Sequence, residues 1–258
     1  MNIFIEGIQG SGKTTLIKKL SKDMKSHKTF FESDYNPLEL AWCSYLDKEQ
    51  YNKLLIKYPC IKDLTHKEDQ FYVVPYTKTN KQDETFYLEM EQYEIYNGRV
   101  SFQKFKEILF RRFKNYQSND GIFECSIFQN VVETMLLFYQ MTEEEVVKFY
   151  QELKEVMNFN YRMLYIDSDH IRQNFLQAKK ERVNEDGHEM WFKFMMNYFT
   201  NSPYAKTHNL TSIDDLISYF ELRRKVEKKI LSEVFKDSYQ ILESKQYSFD
   251  EVFTFVNI

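Results

Sequence analysis

Gly7-Ile8-Gln9-Gly10-Ser11-Gly12-Lys13-Thr14 follows directly on the apolar run Ile3-Phe4-Ile5, and its reading decides how the rest of the chain is understood. The eight residues fit the phosphate-loop pattern G-x-x-x-x-G-K-S/T at every fixed position. Only six glycines occur in 258 residues and three of them stand here, so a chance match is a poor explanation. The flanks are those the pattern demands: a short apolar strand before it, and Thr14-Thr15-Leu16-Ile17-Lys18-Lys19-Leu20 opening a helix after it. Glycines let the backbone turn tightly and bring its N–H groups against phosphate oxygens. The start of the following helix adds unpaired N–H groups and the positive end of a dipole. Lys13 is expected to reach the terminal phosphates of a nucleoside triphosphate, and the Thr14 hydroxyl to bind Mg²⁺. Gly7, Gln9, Gly10, Ser11, Gly12, Lys13, Thr14 and Thr15 therefore form the candidate nucleotide site. An ordinary Gly-rich turn with a solvated lysine would leave the strand–loop–helix context unexplained.

The length suffices for one large α/β domain over residues 1–258. Hydrophobic residues make up 43% and charged residues 29%, the balance of an ordinary globular protein. A net charge of −4 lacks the basic excess of a dedicated nucleic-acid binder. No apolar run approaches ~20 residues, so no membrane span is expected, and the N-terminus enters the first strand with no room for a signal peptide. Cys43, Cys60 and Cys125 show no C-x-x-C spacing, which suits a reducing cytosol. The five histidines have no metal-ligand spacing, and His188-Glu189 lacks the second His of a zinc-protease helix. A homodimer is neither required nor excluded.

Along the chain, Lys28–Glu32, Gly121–Glu124, Tyr161–Ile166 and Ser238–Leu242 read as further short strands separated by helices, which predicts a parallel, doubly wound five-stranded sheet. Right-handed crossovers would bring Gly7, Glu32, Glu124 and Asp167 to one edge, where ligands of such sheets sit. Asp34 stands beside Glu32 in a turn-rich stretch and is read equally as a site residue or a turn residue. Residues 37–117 read as a mostly helical insertion between strands two and three, expected to form the acceptor region, with a helix expected over Trp42–Lys57, a strand or extended loop at Tyr72–Tyr76, and another helix from Ser101 to Tyr116. Arg111 and Arg112 near its end are candidates for a substrate anion or for a solvated, favourable helix-end charge. Phe128–Tyr139 reads as a strongly apolar helix, expected to be buried. Capping-box spacing opens helices at Thr142–Glu145, Thr211–Asp214 and Ser248–Glu251. Residues 168–190 are basic and helical, broken at Asn184-Glu185-Asp186-Gly187. Asp167 and Asp169 read as helix caps, and Arg223, Arg224 and Glu227 as helix-surface pairs.

With these residues in place, the chain resembles the P-loop kinase group, in particular the thymidylate kinase and deoxynucleoside kinase families. Gly7 to Thr15 carries the resemblance closely; the strand order and the basic segment 170–189 carry it loosely over the remainder. It implies a P-loop NTPase fold with a helical lid at 168–190 that closes arginines on ATP, with Arg172 and Arg182 as the counterparts. It also implies that Glu32, after the second strand, accepts the proton of the acceptor hydroxyl. Where deoxynucleoside kinases carry Glu-Arg-Ser after the third strand, this chain has Glu124-Cys125-Ser126, keeping the acid and lacking the arginine. The expected machinery is then Lys13 and Arg182 on the transferring phosphoryl group, Glu32 as base, and Glu124 with Thr14 on Mg²⁺. The expected activity is ATP-dependent transfer, with GTP an open alternative, to a small-molecule hydroxyl or phosphate acceptor, a nucleoside or nucleotide first. Trp42, Tyr72, Tyr76 or Tyr93 are available to stack on its ring. An ATPase or a nucleotide-dependent switch docking a protein partner, and a kinase for a non-nucleoside metabolite or an antibiotic, are the competing readings.

Overall fold

A computed structural model describes residues 1–80, 82–183, 187–244 and 246–256. In chain order the elements are β1 (Asn2–Gly7), α1 (Lys13–Asp23), β2 (Lys28–Phe30), β3 (Ser44–Leu46), α2 (Lys48–Lys57), β4 (His66–Glu68), β5 (Phe71–Val74), α3 (Glu84–Glu91), α4 (Phe102–Asn115), β6 (Gly121–Glu124), α5 (Gln129–Leu137), α6 (Glu143–Val156), β7 (Tyr161–Asp167), α7 (Ile171–Glu181), α8 (Met190–Asn201), α9 (Pro203–His208), α10 (Ile213–Ile230), β8 (Tyr239–Glu243) and α11 (Phe249–Val256). Five strands form one parallel sheet in the order β2-β6-β1-β7-β8, with the phosphate loop leaving the central strand. This is the P-loop NTPase fold expected from the sequence.

Successive residues of a strand face opposite sides of the sheet, and both sides are covered. On β1, Ile3 and Ile5 join Leu16, Ile17 and Leu20 of α1 and Val252 of α11. Phe4 faces the other way, between Phe123 and Tyr161, in the larger core that α4, α5, α6 and α10 complete. Asn2 fixes the start of the sheet: it is fully buried, and its Oδ1 accepts the Gly121 N–H at 2.9 Å.

The segment between β2 and β6 departs from the expectation in one respect. It contains a second, antiparallel sheet in the order β3-β5-β4 with its own core of Leu46, Leu54, Ile61, Val74, Phe86 and Met90. The helix expected over Trp42–Lys57 therefore begins only at Lys48, because Asp47 caps it and the three residues before Asp47 pair with β5. The capping box before α10 is Ser212–Asp215, one residue beyond Thr211–Asp214; both pairs have the spacing, and Ser212 is the residue in extended conformation. Those at Thr142–Glu145 and Ser248–Glu251 form as expected. The break at 184–186 within the candidate lid lies outside the described residues. Among the described residues no helix is long and apolar enough to cross a membrane.

Candidate active site

The loop after β1 has the backbone that its glycines permit. Gly7 has φ +139°, and a Cβ there would stand 2.4 Å from the Ile166 carbonyl oxygen. Gly12 has φ +106° with open space around its Cα, on the side where α1 begins without a side-chain cap. The first-turn N–H groups of α1 are thus left for an anion. Lys13 is buried, and its Nζ donates to the carbonyls of Gly7 at 2.8 Å and Ile8 at 3.1 Å, so the ammonium is held inside the curl of the loop. The Thr14 hydroxyl donates to Glu124 Oε1. A hydroxyl and a carboxylate oxygen side by side at the mouth of a phosphate loop fit Mg²⁺, which takes few protein ligands and completes its shell with water and phosphate.

Glu32 lies just beyond the end of β2, its backbone N–H donating to Glu124 Oε2 at 3.3 Å. Its carboxylate accepts from Gln129 Nε2 at 2.7 Å and from the Trp42 indole. Burial pushes its pKa up and the Glu124 charge adds to this, while Lys13 and Arg182 oppose it. A carboxylate poised in this way, within reach of the loop, suits a general base.

Around these groups opens a cavity of about 950 Å³. Gln9, Gly10, Gly12, Lys13, Thr14, Thr15, Glu32, Glu124 and Arg182 line it; Gly7 and Ser11 lie behind the loop they shape. Arg182 follows α7 with its guanidinium 4.7 Å from the Trp191 ring. The cavity continues under the insertion to Glu91, Glu94 and Asn97, and along α8 to Phe194, Asn197 and Tyr198.

Several sequence candidates lie elsewhere. Arg172 pairs with Asp214 at 2.6 Å on the exposed surface and does not line the cavity. Asp34 takes the turn reading: it accepts the Phe31 N–H at 3.2 Å and pairs with Lys78 at 2.7 Å. Buried Arg112 pairs with Glu68 and donates to the carbonyls of Leu38 and Asn36, bracing the insertion, and Arg111 lies over Phe71 and donates to the Tyr45 hydroxyl. Of the stacking candidates only Trp42 reaches the cavity. Tyr72 stacks on Tyr51 at 4.2 Å, Tyr76 is buried with its hydroxyl 2.6 Å from Glu94, and Tyr93 packs in the insertion core.

The helix-surface reading of Arg223 and Glu227 is overturned. Both are fully buried, and Arg223 bridges Glu133 at 2.9 Å and Glu227 at 3.0 Å behind the cavity wall. Asp167 and Asp169 do not cap α7, whose N-cap is His170; both hold Arg224. Burial alone would raise the Asp167 pKa, but hydrogen bonds from Arg224 and Lys228 hold it below the ordinary range.

Sequence reading missed Glu6, Glu39, Glu94, Glu133 and Gln129. Two of these had a signal: Glu6 interrupts an apolar strand and Glu133 an apolar helix, and a charged residue in an apolar run is buried only for a reason. Burial lifts the pKa of Glu6 to about 7 and of Glu39 to about 8.

No protein-family model and no curated protein matches the sequence. Among solved structures the chain is similar to a deoxyadenosine kinase from M. mycoides with bound dATP, at 13% identity over 100% of this chain and 98% of that one, with a TM-score of 0.41. It is also similar to shikimate kinase from Bacteroides thetaiotaomicron, at 11% identity over 100% and 94% of the two chains and a TM-score of 0.32. A further likeness is to tRNA delta(2)-isopentenylpyrophosphate transferase from Staphylococcus epidermidis, at 12% identity over 99% and 98% and a TM-score of 0.30.

Proposed function

We propose that the protein is a phosphotransferase that moves the terminal phosphoryl group of ATP to a hydroxyl of a small molecule. One observation carries the reading: the phosphate loop and a carboxylate of raised pKa, Glu32, open on the same cavity, which continues beyond them with room for an acceptor. The loop N–H groups and the start of α1 bind the triphosphate, and the Lys13 ammonium stabilises charge on the group in transfer. Thr14 and Glu124 would hold Mg²⁺, which supplies charge neutralisation across the phosphate oxygens. Ionised Glu32 takes the proton of the attacking hydroxyl, oriented by Gln129 and Trp42. Arg182 belongs to the donor end of the cavity; Arg172, held by Asp214, is left out of the machinery.

The test is ADP release from Mg-ATP with and without a pool of nucleosides, nucleotides and small alcohols, the first two being the acceptors that the family resemblance implies. Release that depends on the pool supports the reading. Release that ignores the pool points to an ATPase, and tight nucleotide binding without release points to a switch.

A further inference from the structure

The described residues that line the cavity include seven carboxylates against two cations, Lys13 and Arg182, and both cations act on Glu32 at the phosphate-loop end. Away from the loop the polar lining includes Glu91, Glu94, Asn97, Glu133, Asn197 and Tyr198. Glu133 is paired with Arg223, and the Arg99 guanidinium goes to Glu91. Glu94 is different. It is 4% exposed, it faces the cavity, and its hydrogen-bond partners are neutral: the Tyr76 hydroxyl at 2.6 Å and Asn97 Nδ2 at 3.5 Å. Burial raises its pKa to about 7; the Tyr76 hydroxyl and the nearby Arg99 guanidinium oppose the rise and the Glu91 charge adds to it. At the loop end of the same cavity Gln9, hydrogen-bonded to Glu133, presents a buried amide oxygen with no partner. Aromatic rings line the same cavity: Phe194 lies 6.0 Å from Trp42 and 6.4 Å from Tyr198, whose hydroxyl donates to Asn97 Oδ1 at 2.8 Å, and Phe194 is 50% exposed.

A chamber lined by carboxylate and amide acceptors together with aromatic rings suits a cation that also donates hydrogen bonds. The same chamber repels an anion, because like charges juxtaposed in a desolvated site are strongly disfavoured. Resting on the phosphotransfer reading above, we propose that the acceptor is an unphosphorylated hydroxyl compound bearing a protonated amine, such as an aminated sugar or amino alcohol, whose ammonium group is seated against Glu94 while its hydroxyl meets Glu32. Phosphorylated acceptors, nucleotides among them, are excluded from this chamber.

Acceptor binding is measured by calorimetry without donor, on the full chain, with MgATP binding titrated separately. The cationic probes are glucosamine, kanamycin and ethanolamine. The neutral probes are glucose, N-acetylglucosamine, adenosine and cytidine; the anionic probes are glucosamine 6-phosphate and AMP. The expected result is that a cationic probe binds about tenfold or more tighter than its neutral and phosphorylated counterparts, the discrimination of a hydrogen bond to a charged partner. Glu94→Gln, which retains the bond with Tyr76, should collapse that ratio, a change that a merely structural role would not produce; Glu91→Gln serves as a second variant. Equal or tighter binding of the neutral or anionic probes, no binding of any cationic probe, or a ratio unchanged in Glu94→Gln overturns the inference. Failure of MgATP to bind would instead overturn the phosphotransfer reading, and leaves the acceptor titrations readable on their own terms.

Discussion

Replacing Glu6 with Gln should flatten the pH dependence of stability. Glu6 is fully buried on β1, one residue before the phosphate loop; its Oε1 accepts the Ile127 N–H at 2.7 Å, and its Oε2 has no hydrogen-bond partner. Burial raises its pKa from 4.5 to about 7; the Glu227 charge adds to the rise and the Ile127 N–H opposes it. Between those two values the folded chain keeps a proton that the unfolded chain has released, so stability falls as pH rises through this window. The rise from 4.5 to about 7 is worth about 3 kcal/mol, present in full below the lower value and lost above the upper one. Glutamine keeps the acceptor for Ile127 and never ionises. The loss of stability between about pH 5 and about pH 8 should therefore be smaller in the variant by about 3 kcal/mol, or about 6–12 °C in Tm for a chain of this size. Urea or thermal unfolding of both proteins at the two pH values measures this as a difference of differences, in which any constant packing effect of the amide cancels. Parallel profiles for the two proteins would refute the reasoning, for they would mean that Glu6 does not titrate between its unfolded value and neutrality.

Four other predictions bear on the site and its support. Lys13→Ala should abolish turnover while the fold persists, and full activity in a circular-dichroism-checked variant would contradict the assigned loop. Glu32→Gln should leave MgATP affinity nearly intact and cut transfer by about 10²-fold or more; in the parent, turnover should rise with pH through the raised Glu32 pKa, because only the ionised form accepts a proton. Arg223→Ala should cost about 3–5 kcal/mol in chemical unfolding, since it strands Glu133 and Glu227 as buried charges, and a cost near zero would mean that both carboxylates are already neutral. Gly12→Ala should weaken nucleotide binding through backbone strain alone, because a Cβ there meets nothing within 4 Å; unchanged affinity by calorimetry would show that the loop adapts.

The sheet and the loop were legible because their signals are local. The strand–loop–helix register around Gly7–Thr14 is written in eight consecutive residues, and the other parallel strands are apolar runs ending in an acid or a turn. Glu32 and Glu124 followed from topology, since parallel strands must deliver their ends to one edge. Beyond Trp42, a stacking candidate that does line the cavity, the acceptor end was illegible for the opposite reason. Glu94, Tyr198 and Trp42 come from three distant segments, and nothing in the periodicity of any one of them announces the others. Of the β3-β5-β4 sheet only β5 was foreshadowed, in the strand or loop expected at Tyr72–Tyr76; β3 and β4 are three residues long, and β3 falls inside the stretch read as a helix. Arg223 was misread because an i,i+4 pair has the same spacing on a surface and in a core. What distinguishes the two is the partner Glu133, ninety residues away.

Strain was also invisible in the sequence, and it is concentrated at the two carboxylates. Among the described residues eight other than glycine have positive φ, and three of them adjoin Glu32 or Glu124: Ser33 at φ 70°, Trp42 at 61° and Cys125 at 57°. Ser33 follows Glu32, Trp42 hydrogen-bonds to it, and Cys125 follows Glu124. Each such residue costs about 1–3 kcal/mol that the surrounding structure must offset. Ser33→Gly separates the energetic role of this strain from its positional role. Glycine adopts the same φ freely but gives the unfolded chain about 0.5–1 kcal/mol more entropy, so the two effects nearly cancel in stability. If the strained turn holds Glu32 against Gln129 and Glu124, the freed backbone should lower kcat while Tm and MgATP affinity stay near the parent values. A variant with unchanged kcat would show that Gln129 and Trp42 suffice to place the base, and that the strain at residue 33 is incidental to the chemistry.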